Sequence, residues 1–405
     1  MALCAQALLQ IVGWLIALHL SLIGSFKLIS FIFSRIEPER ALPPDLSIYG
    51  SIRIASLIAI KDDRPRDELI RALKKQSDVY VLDDSKEEYV NPDVKVIRYG
   101  SKSKGRAINR WVEDYGERYD FVGIFDYDSV VSEDFYAKII PYFSAKEIAF
   151  VQAKIKSDGF LGDEVERFFQ DRIKACFLSC GHSVVFRAEV LRENPLPETM
   201  GEDVLYSIDL FSKGYKSVLA DVWTYDVGMG PIEFLARSIK WAGNEKLFIR
   251  KIPALLKSKI PLAKKLEIFS DLTRSITAIM IIVELVLFPL DPWTQLICIA
   301  LGCLISRVRP KNALVAPGLI FFTAYGFLKH MPRDLRVSRP TSSLNHNEVK
   351  LLLAFFMFVC SAFIYLHRNA LAFSYLLLSL ILVACHSCRK GKGRKRSLPH
   401  AAHRM

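Results

Sequence analysis

Charge divides this chain into three parts that suit different solvents. Residues 3 to 26 carry no formal charge, the block from about residue 35 to 265 is mixed and charged, and residues 268 to 385 return repeatedly to long apolar runs. Apolar runs near the roughly 20 residues that cross a bilayer are typical of transmembrane helices. The sequence therefore predicts a folded middle block, large enough to bury its own core, between membrane segments.

The apolar runs predict several membrane crossings. The first run lacks a preceding basic residue and a small-residue cleavage pattern, so residues 1–34 are expected to form a retained anchor. Residues 251–267, with lysines interleaved with Ile and Leu, suit an amphipathic segment in the membrane interface. Within residues 268–388 we expect about four crossings, at 275–290, 293–306, 351–366 and 370–386, and a re-entrant or interfacial helix at 313–328.

Basic residues predict the orientation. Arg35 and Arg40 follow the first run, and residues 389–405 form a basic tail that carries six positive charges between 389 and 396. Such residues mark cytoplasmic flanks and pair with anionic lipid headgroups. We therefore expect a multi-pass integral membrane protein of the plasma membrane, with its middle block in the cytoplasm. No nucleic-acid recognition motif accompanies the net charge of +12, so nucleic-acid binding is not expected.

The middle block alternates apolar runs with helical spacing. Residues 52–60, 79–82, 94–97 and 121–125 have the pattern of strands, and residues 66–76 have that of a helix. Strand, helix and strand in succession predict an α/β fold whose ligands lie at the carboxyl ends of the strands. Acidic residues follow three of these strands, at positions 62 and 63, 83 and 84, and 126 and 128.

Two carboxylate pairs carry candidate chemistry. Asp126 and Asp128 lie just past a strand and can project toward one site, where hard oxygen ligands suit Mg²⁺ or Mn²⁺. A solvated acidic turn is the alternative. Glu202 and Asp203 precede an apolar helical pattern, and Asp203 is the candidate general base for an attacking hydroxyl. Acidic residues also suit the first turn of a helix, because the macrodipole favours them there.

These motifs, in this order, resemble those of the family 2 glycosyltransferases of the cellulose synthase and hyaluronan synthase type. The resemblance covers the middle block and the flanking membrane layout. It implies a GT-A-like domain over residues 35–250, with a Rossmann-like mixed sheet that binds a nucleotide sugar. Besides Asp126 and Asp128, the matching stretches are Val81-Leu82-Asp83-Asp84-Ser85, Lys104-Gly105-Arg106-Ala107-Ile108-Asn109, Cys180-Gly181-His182-Ser183, Gly201-Glu202-Asp203 and Arg237-Ser238-Ile239-Lys240-Trp241.

The resemblance also implies a role for each matching residue. It implies catalysis for Glu202 and Asp203, with Asp203 as the base, and metal binding for Asp126 and Asp128. Acceptor binding is implied for Cys180, Gly181 and Trp241. Donor binding is implied for Asp83, Asp84, Lys104, Asn109, Asp126, Arg237 and Lys240.

Three departures from the family pattern leave the donor and the acceptor open. Lys240 stands where the pattern has Arg, which keeps the charge but loses the bidentate fork. Gly201 stands where the pattern has Thr, which removes a possible N-cap hydroxyl. Lys61-Asp62-Asp63-Arg64-Pro65 stands where the family usually has a Tyr-Asn-Glu-Pro-like turn. None of these departures changes the expected reaction class.

The resemblance implies a membrane-embedded, inverting, metal-assisted glycosyltransferase that uses a nucleotide-diphosphate sugar, with a UDP-sugar as the expected donor. If the acceptor is a glycan, the expected product is a polysaccharide that the protein builds and passes through its membrane helices. One alternative is the transfer of a single sugar to a membrane lipid such as polyprenyl phosphate or a glycolipid. Another is a non-catalytic membrane scaffold or transporter.

Overall fold

The computed structural model describes residues 18–19, 22–36, 52–101, 103–287 and 323–328, without the side chains of 232, 281 and 283–287. Within these residues no helix has both the length and the apolar character needed to cross a membrane. The crossings expected at 293–306, 351–366 and 370–386 and the basic tail at 389–405 lie outside the described residues, so they stay predictions.

Eight strands form one mixed sheet: β1 (Ile54–Ile60), β2 (Asp78–Asp83), β3 (Lys95–Ile97), β4 (Phe121–Asp126), β5 (Ser129–Val130), β6 (Ile148–Ser157), β7 (Val184–Arg187) and β8 (Lys216–Asp226). Their order across the sheet is β3-β2-β1-β4-β7-β6-β8-β5. The strands from β3 to β4 run parallel. β7 is antiparallel to both β4 and β6, β8 is parallel to β6, and β5 is antiparallel to β8.

Helices cover the sheet and extend from it. In the described part of the chain they are α1 (residues 22–36), α2 (Asp67–Lys74), α3 (Lys104–Tyr115), α4 (Phe135–Ile139), α5 (Gly162–Gln170), α6 (Ala188–Glu193), α7 (Glu202–Ser212), α8 (Pro231–Ile249), α9 (Ile252–Lys257), α10 (Leu262–Leu272), α11 (Arg274–Leu287) and α12 (residues 323–328). Single 3₁₀ turns follow α3 at Gly116–Arg118 and α4 at Ile140–Tyr142.

The sheet is buried on both faces. Successive side chains of a strand point to opposite faces, so Leu57 of β1 joins one apolar core and Ile58 joins the other. Trp111 and Phe150 belong to the first core, and Phe125 to the second. A parallel strand buried on both faces has the nearly continuous apolar sequence seen in β1. The doubly covered sheet is a rigid support for the loops at its strand ends.

The N-terminal helix packs on a C-terminal one. The ring of Phe26 in α1 meets the ring of Phe269 in α10 edge to face, at 6.1 Å between centroids. The Ser30 hydroxyl donates a hydrogen bond to the Glu267 carboxylate. Other side chains of α1 remain exposed and apolar, namely Leu22, Leu28, Phe31, Ile32, Phe33 and Ile36.

The four strands and the helix predicted from the sequence are confirmed, with ends that differ by one or two residues. The segment predicted over 251–267 contains two helices, α9 and α10, separated by residues 258–261, and its place in the membrane interface stays a prediction. Pro261 has no N–H and stands immediately before α10, where its fixed φ suits a helix start. Lys264 does not face lipid headgroups: its side chain is 1% exposed and pairs with Glu267 at 2.6 Å.

Candidate functional site

The carboxyl end of β4 meets the N-terminal turns of α3 and α7 at one pocket. Its polar wall is formed by Lys104, Ser179, Gly181, Glu202 and Asp203. Its apolar wall is formed by Ile108, Ile124, Val184, Phe186 and Leu196. The pocket thus joins residues that are about 100 positions apart in the sequence.

Lys104 is the cation at the centre of this site. It is the first residue of α3, and its Nζ donates to Asp126 Oδ1 at 2.6 Å and to the Gly181 carbonyl at 2.8 Å. Burial opposes the ionisation of Asp126, but the ammonium of Lys104 and the nearby His182 outweigh it and lower the pKa of Asp126 to about 2. Lys104 therefore connects an ionised carboxylate of β4 to the loop before β7.

At Asp128 the nearby His182 does not outweigh the effects that oppose ionisation. Burial, followed by the negative charges of Asp226 and Asp126, raises the pKa of Asp128. In the described part of the chain, no three His, Cys, Asp or Glu side chains come together as a preformed metal site. The oxygens of Asp126 and Asp128 nevertheless fit Mg²⁺ or Mn²⁺, since such ions often take one or two carboxylates and fill the other positions with substrate phosphate and water. A divalent ion would also relieve the repulsion at Asp128.

The carboxylates of Glu202 and Asp203 lie together in the first turn of α7. Burial, followed by the charge of Asp203, raises the pKa of Glu202 to about 7. Burial also raises the pKa of Asp203, although its Oδ1 accepts a hydrogen bond from the Val204 N–H at 2.9 Å. Both carboxyl groups therefore hold their protons more strongly than exposed carboxyl groups do.

Gly201 fits its position for two physical reasons. It has a left-handed φ of +72°, which glycine adopts at little cost. A Cβ at this position would also lie 2.7 Å from the ring of Phe248. The Thr of the family pattern would be strained here, so the departure at 201 follows from how α8 packs against the start of α7.

The loop over residues 179–183 closes the site from the side of β7. Gly181 has a φ of +79°, and a Cβ added to it would lie 3.1 Å from Asp203 Oδ2. The backbone of this loop therefore approaches the carboxylate as closely as glycine allows. The Cys180 thiol beside it belongs to a partly buried residue, and desolvation raises the pKa of Cys180, so the thiol is neutral at physiological pH.

α8 brings its positive charges to the same place. The charge of Lys240 is close enough to interact with Glu202 and Asp126, and that of Arg237 lowers the pKa of Asp126 together with Lys104. Trp241 is 41% exposed and packs edge to face on Phe234, at 6.3 Å between centroids. The α8 motif thus lies beside the carboxylates rather than on a separate surface.

Three residues with a predicted donor role bind the protein itself. The two oxygens of Asp83 accept hydrogen bonds from the Ser85 and Tyr89 N–H groups, both at 2.9 Å. Asp84 accepts from the N–H and the hydroxyl of Ser101, at 3.0 and 2.8 Å. Asn109 exchanges hydrogen bonds with the backbone of Leu196. These side chains shape the walls of the site, and their predicted contact with a donor stays a prediction.

The structure adds three residues that the sequence did not assign. His182 Nε2 lies 3.6 Å from Asp226 Oδ2, and Asp226 Oδ1 accepts from the Ser129 hydroxyl at 3.0 Å. Asp226 ends β8, so the rule that acidic residues at strand ends mark a site would have found it, had β8 been predicted. Gln152 lies under the 179–183 loop, and no sequence signal marks it inside an apolar strand.

Known proteins support the family and the fold. Residues 121–387, more than half of the chain, match the model of the glycosyl transferase family group 2. A comparison with curated protein sequences finds no match. The fold is similar to that of the mannosyltransferase PcManGT from Pyrobaculum calidifontis in complex with GDP-Man and Mn²⁺, with a TM-score of 0.58, 14% identity, and coverage of 79% of this chain and 99% of that chain.

A second similar structure is S. aureus TarS 1-349 in complex with UDP, with 14% identity and coverage of 68% of this chain and 88% of that chain. Its TM-score of 0.38 is too low to support a structural inference. At 14% identity the likeness to PcManGT shows the fold alone. Together with the match over residues 121–387, it shows that the chain belongs to the glycosyl transferase family group 2 and has a GT-A-like mixed α/β sheet.

Proposed function

We propose that this protein transfers a sugar from a nucleotide-diphosphate sugar to a hydroxyl acceptor, with inversion at the anomeric carbon and with help from a divalent metal. One observation carries the proposal: Glu202, Asp203 and Lys104 line the same pocket, and Lys104 binds the Asp126 carboxylate. The nucleotide sugar and Mn²⁺ bound by PcManGT, which has the same fold, are consistent with it.

Asp203 is the proposed base. The acceptor hydroxyl attacks the anomeric carbon, its proton passes to the Asp203 carboxylate, and the bond between sugar and diphosphate breaks with its electron pair left on the diphosphate. The hydroxyl attacks from the face opposite the leaving group, so the configuration inverts. The raised pKa of Asp203 makes this carboxylate a stronger base than an exposed aspartate.

The cations around the pocket are proposed to hold the donor. Arg237 and Lys240 bind the diphosphate, while Lys104 fixes Asp126. Asp126 and Asp128 would hold Mg²⁺ or Mn²⁺, which neutralises the charge that develops on the leaving diphosphate. A UDP-sugar is the proposed donor. Asp83, Asp84 and Asn109 support the loops around its nucleoside.

The acceptor decides between two products. We propose a growing polysaccharide as the first candidate, because the half-exposed Trp241, in the same helix as Arg237 and Lys240, offers a ring on which a sugar can stack. Cys180 and Gly181 are proposed to contact the acceptor as well. A single transfer to a membrane lipid is the second candidate. The exposed apolar side chains of α1 favour it, since they suit a lipid surface near the catalytic domain.

Membrane embedding is part of the proposal. The uncharged N-terminal run and the apolar residues 268–385 support a multi-pass protein of the plasma membrane with its catalytic domain in the cytoplasm. Passage of a polysaccharide through the membrane helices belongs to the first candidate. A non-catalytic scaffold is less consistent with a site that retains its base, its cations and its acidic pair.

The Asp203→Asn variant tests the proposed base. Detergent-purified protein is screened against several nucleotide sugars with Mn²⁺ or Mg²⁺, and product length is measured. We expect Asp203→Asn to lower kcat about 100- to 10,000-fold, the usual range for a lost general base. Asp209→Asn is the matched control, because Asp209 lies in the same helix and pairs with Lys251 instead.

The products separate the candidates. A long ladder of products supports a polysaccharide polymerase, and one extractable lipid-linked sugar supports the second candidate. Equal turnover of Asp203→Asn and wild type would exclude Asp203 as the base. Absence of turnover and of nucleotide binding with every donor would contradict the proposed function.

A further inference from the structure

Gln152 is a fully buried amide in the middle of β6. Its exposure is 0%, and β6 pairs on both sides at this residue, with Val184 of β7 and Leu219 of β8. A buried amide without hydrogen-bond partners costs about 1–3 kcal/mol. The partners of this side chain therefore indicate what it does.

All these partners but one lie in the 179–183 loop. Gln152 Oε1 accepts from the Cys180 N–H at 2.9 Å. Its Nε2 lies 3.0 Å from the His182 carbonyl and 3.1 Å from the Ser183 carbonyl, and also 3.0 Å from the Ala153 carbonyl. One N–H and three carbonyl groups fix which end of the amide is oxygen. A single side chain thus spans most of the loop.

The loop needs such support because of its backbone. Gly181 and Ser183 have left-handed φ values of +79° and +53°, and such a conformation costs energy for a residue other than glycine. At its start, the Ser179 N–H donates to Ser207 Oγ at 2.9 Å, and that hydroxyl donates to the Asp203 carbonyl at 2.7 Å. The loop is therefore held between the sheet and the helix that carries Asp203.

We propose that Gln152 is a positioning residue for the transfer reaction. It acts through the 179–183 loop, which it holds so that the Gly181 carbonyl meets Lys104 and the Gly181 Cα packs against Asp203. This inference rests on the proposed function of the same site. Loss of the amide shifts the loop, and a displacement of about 1 Å near reacting groups costs about 100-fold in rate.

The test compares Gln152→Leu with Gln76→Leu. The Gln76 amide makes comparable hydrogen bonds to the backbone. Its Nε2 donates to the Ala72 and Ser132 carbonyls at 2.9 and 3.0 Å, and its Oε1 accepts from the Tyr136 N–H at 2.9 Å. It joins α2 to α4 and bonds to no residue of the site. Both variants lose the same kind of hydrogen bonds, so both are expected to lower the melting temperature.

Only the Gln152 variant should affect catalysis. Measured well below both melting temperatures, Gln152→Leu is expected to lower kcat about 10- to 100-fold with the donor KM within about twofold, while Gln76→Leu keeps kcat within about twofold. Equal kcat losses in the two variants would overturn the proposal. So would a rise in donor KM as large as the fall in kcat, because Gln152 would then support donor binding.

Amide hydrogen exchange separates this inference from the proposed function. Gln152→Leu, and not Gln76→Leu, should exchange the Cys180 and Ala153 amides faster, because Ala153 N–H donates to the Ser183 carbonyl at 2.9 Å and follows the loop. Unchanged exchange would overturn the positioning role whatever the activity. If Gln152→Leu exchanges these amides faster but the wild-type protein shows no turnover, the positioning of the loop by Gln152 is supported. Only the proposed function is then contradicted.

Discussion

At the scale of one residue, the raised pKa of Glu202 predicts how the stability of the fold depends on pH. Burial, then the charge of Asp203, raises the pKa of Glu202 from its usual 4.5 to about 7. Between these two pH values, the folded state keeps the Glu202 proton that the unfolded chain releases. The stability from this group is therefore complete below about pH 4.5 and lost as the pH rises to about 7.

Glu202→Gln should remove that loss. We expect the variant to melt higher than wild type at pH 8, and the gain to shrink at pH 5, where wild-type Glu202 is protonated in the folded state. Thermal unfolding at the two pH values measures it. Asp209→Asn, in the same helix, is the matched control. A gain in melting temperature of equal size at both pH values would mean that folding does not raise the pKa of Glu202.

Gly201 makes a second prediction at this scale. Gly201→Thr would restore the family pattern but should lower stability, because threonine is β-branched, φ is +72° and the Phe248 ring lies 2.7 Å from the added Cβ. The melting temperature of Gly201→Thr is compared with that of Gly100→Thr, whose φ is +59° with nothing within 4 Å. An equal loss at both positions would assign the cost to backbone strain alone rather than to Phe248.

Single residues explain part of what the sequence predicted. Asp126, Glu202 and Lys104 lie together because their motifs stand at strand ends and helix starts, which short-range patterns reveal. The hydrogen bonds of Asp83 and Asn109 were not predictable, because their partners depend on how distant loops fold. The positive φ at Gly201 was equally invisible, since the sequence shows a missing Thr but not the ring that excludes it.

At the scale of elements, α10 joins three parts of the chain. Glu267 pairs with Lys264 at 2.6 Å within the helix and accepts the Ile173 N–H of the segment before the 179–183 loop at 3.2 Å. It also accepts from Ser30 of α1. Burial opposes ionisation, but Lys264 and Arg172 outweigh it and lower the pKa of Glu267 to about 2.

Glu267→Gln should therefore destabilise the protein strongly. It leaves the Lys264 ammonium, 1% exposed, with the Ile173 carbonyl as its other partner, and a broken buried pair costs about 3–5 kcal/mol. Because the pKa is lowered, the stability from Glu267 is present above about pH 4.5 and lost as the pH falls toward 2. Chemical unfolding at pH 7 measures the cost.

Two further variants control this prediction. Glu198→Gln breaks an exposed pair with Arg106 and should cost at most about 1 kcal/mol. The double variant Glu267→Leu with Lys264→Met replaces the buried pair by apolar groups, and it should recover part of the loss. A cost for Glu267→Gln no greater than that for Glu198→Gln would show that the buried pair contributes little.

The elements also differ in how well the sequence predicts them. β1, β2 and β4 are continuous apolar runs, so they were found. β6 and β8 were not, because Lys154, Lys156 and Asp221 interrupt their apolar pattern. These charges are paired across the strands: Lys154 binds Asp221 at 2.6 Å, and both lysines lie over the ring of Trp223. Non-local pairs of this kind cannot be read from hydropathy.

The whole molecule makes a prediction about its orientation. If the catalytic domain is cytoplasmic, a cysteine placed at the exposed position 87 should react with a membrane-impermeant maleimide only after cells are permeabilised. A cysteine at position 345, in the basic loop after 328, should behave in the same way. The control is the parent variant without the added cysteine. Labelling of intact cells at position 87 would place the domain outside and contradict the orientation inferred from the basic flanks.

The order of the strands has a consequence for how the protein is made. Only two residues separate the end of β4 from the start of β5, yet β5 pairs with β8, and Ser129 bonds to Asp226 across 97 positions. The turn through Asp126 and Asp128 thus lies between β4, which is synthesised early, and β5, whose partner strand β8 is synthesised late. Such long-range pairing forms slowly. A ribosome must release the whole of β8 before a nascent chain can close this turn, so no fragment that stops short of Asp226 is expected to carry a finished site.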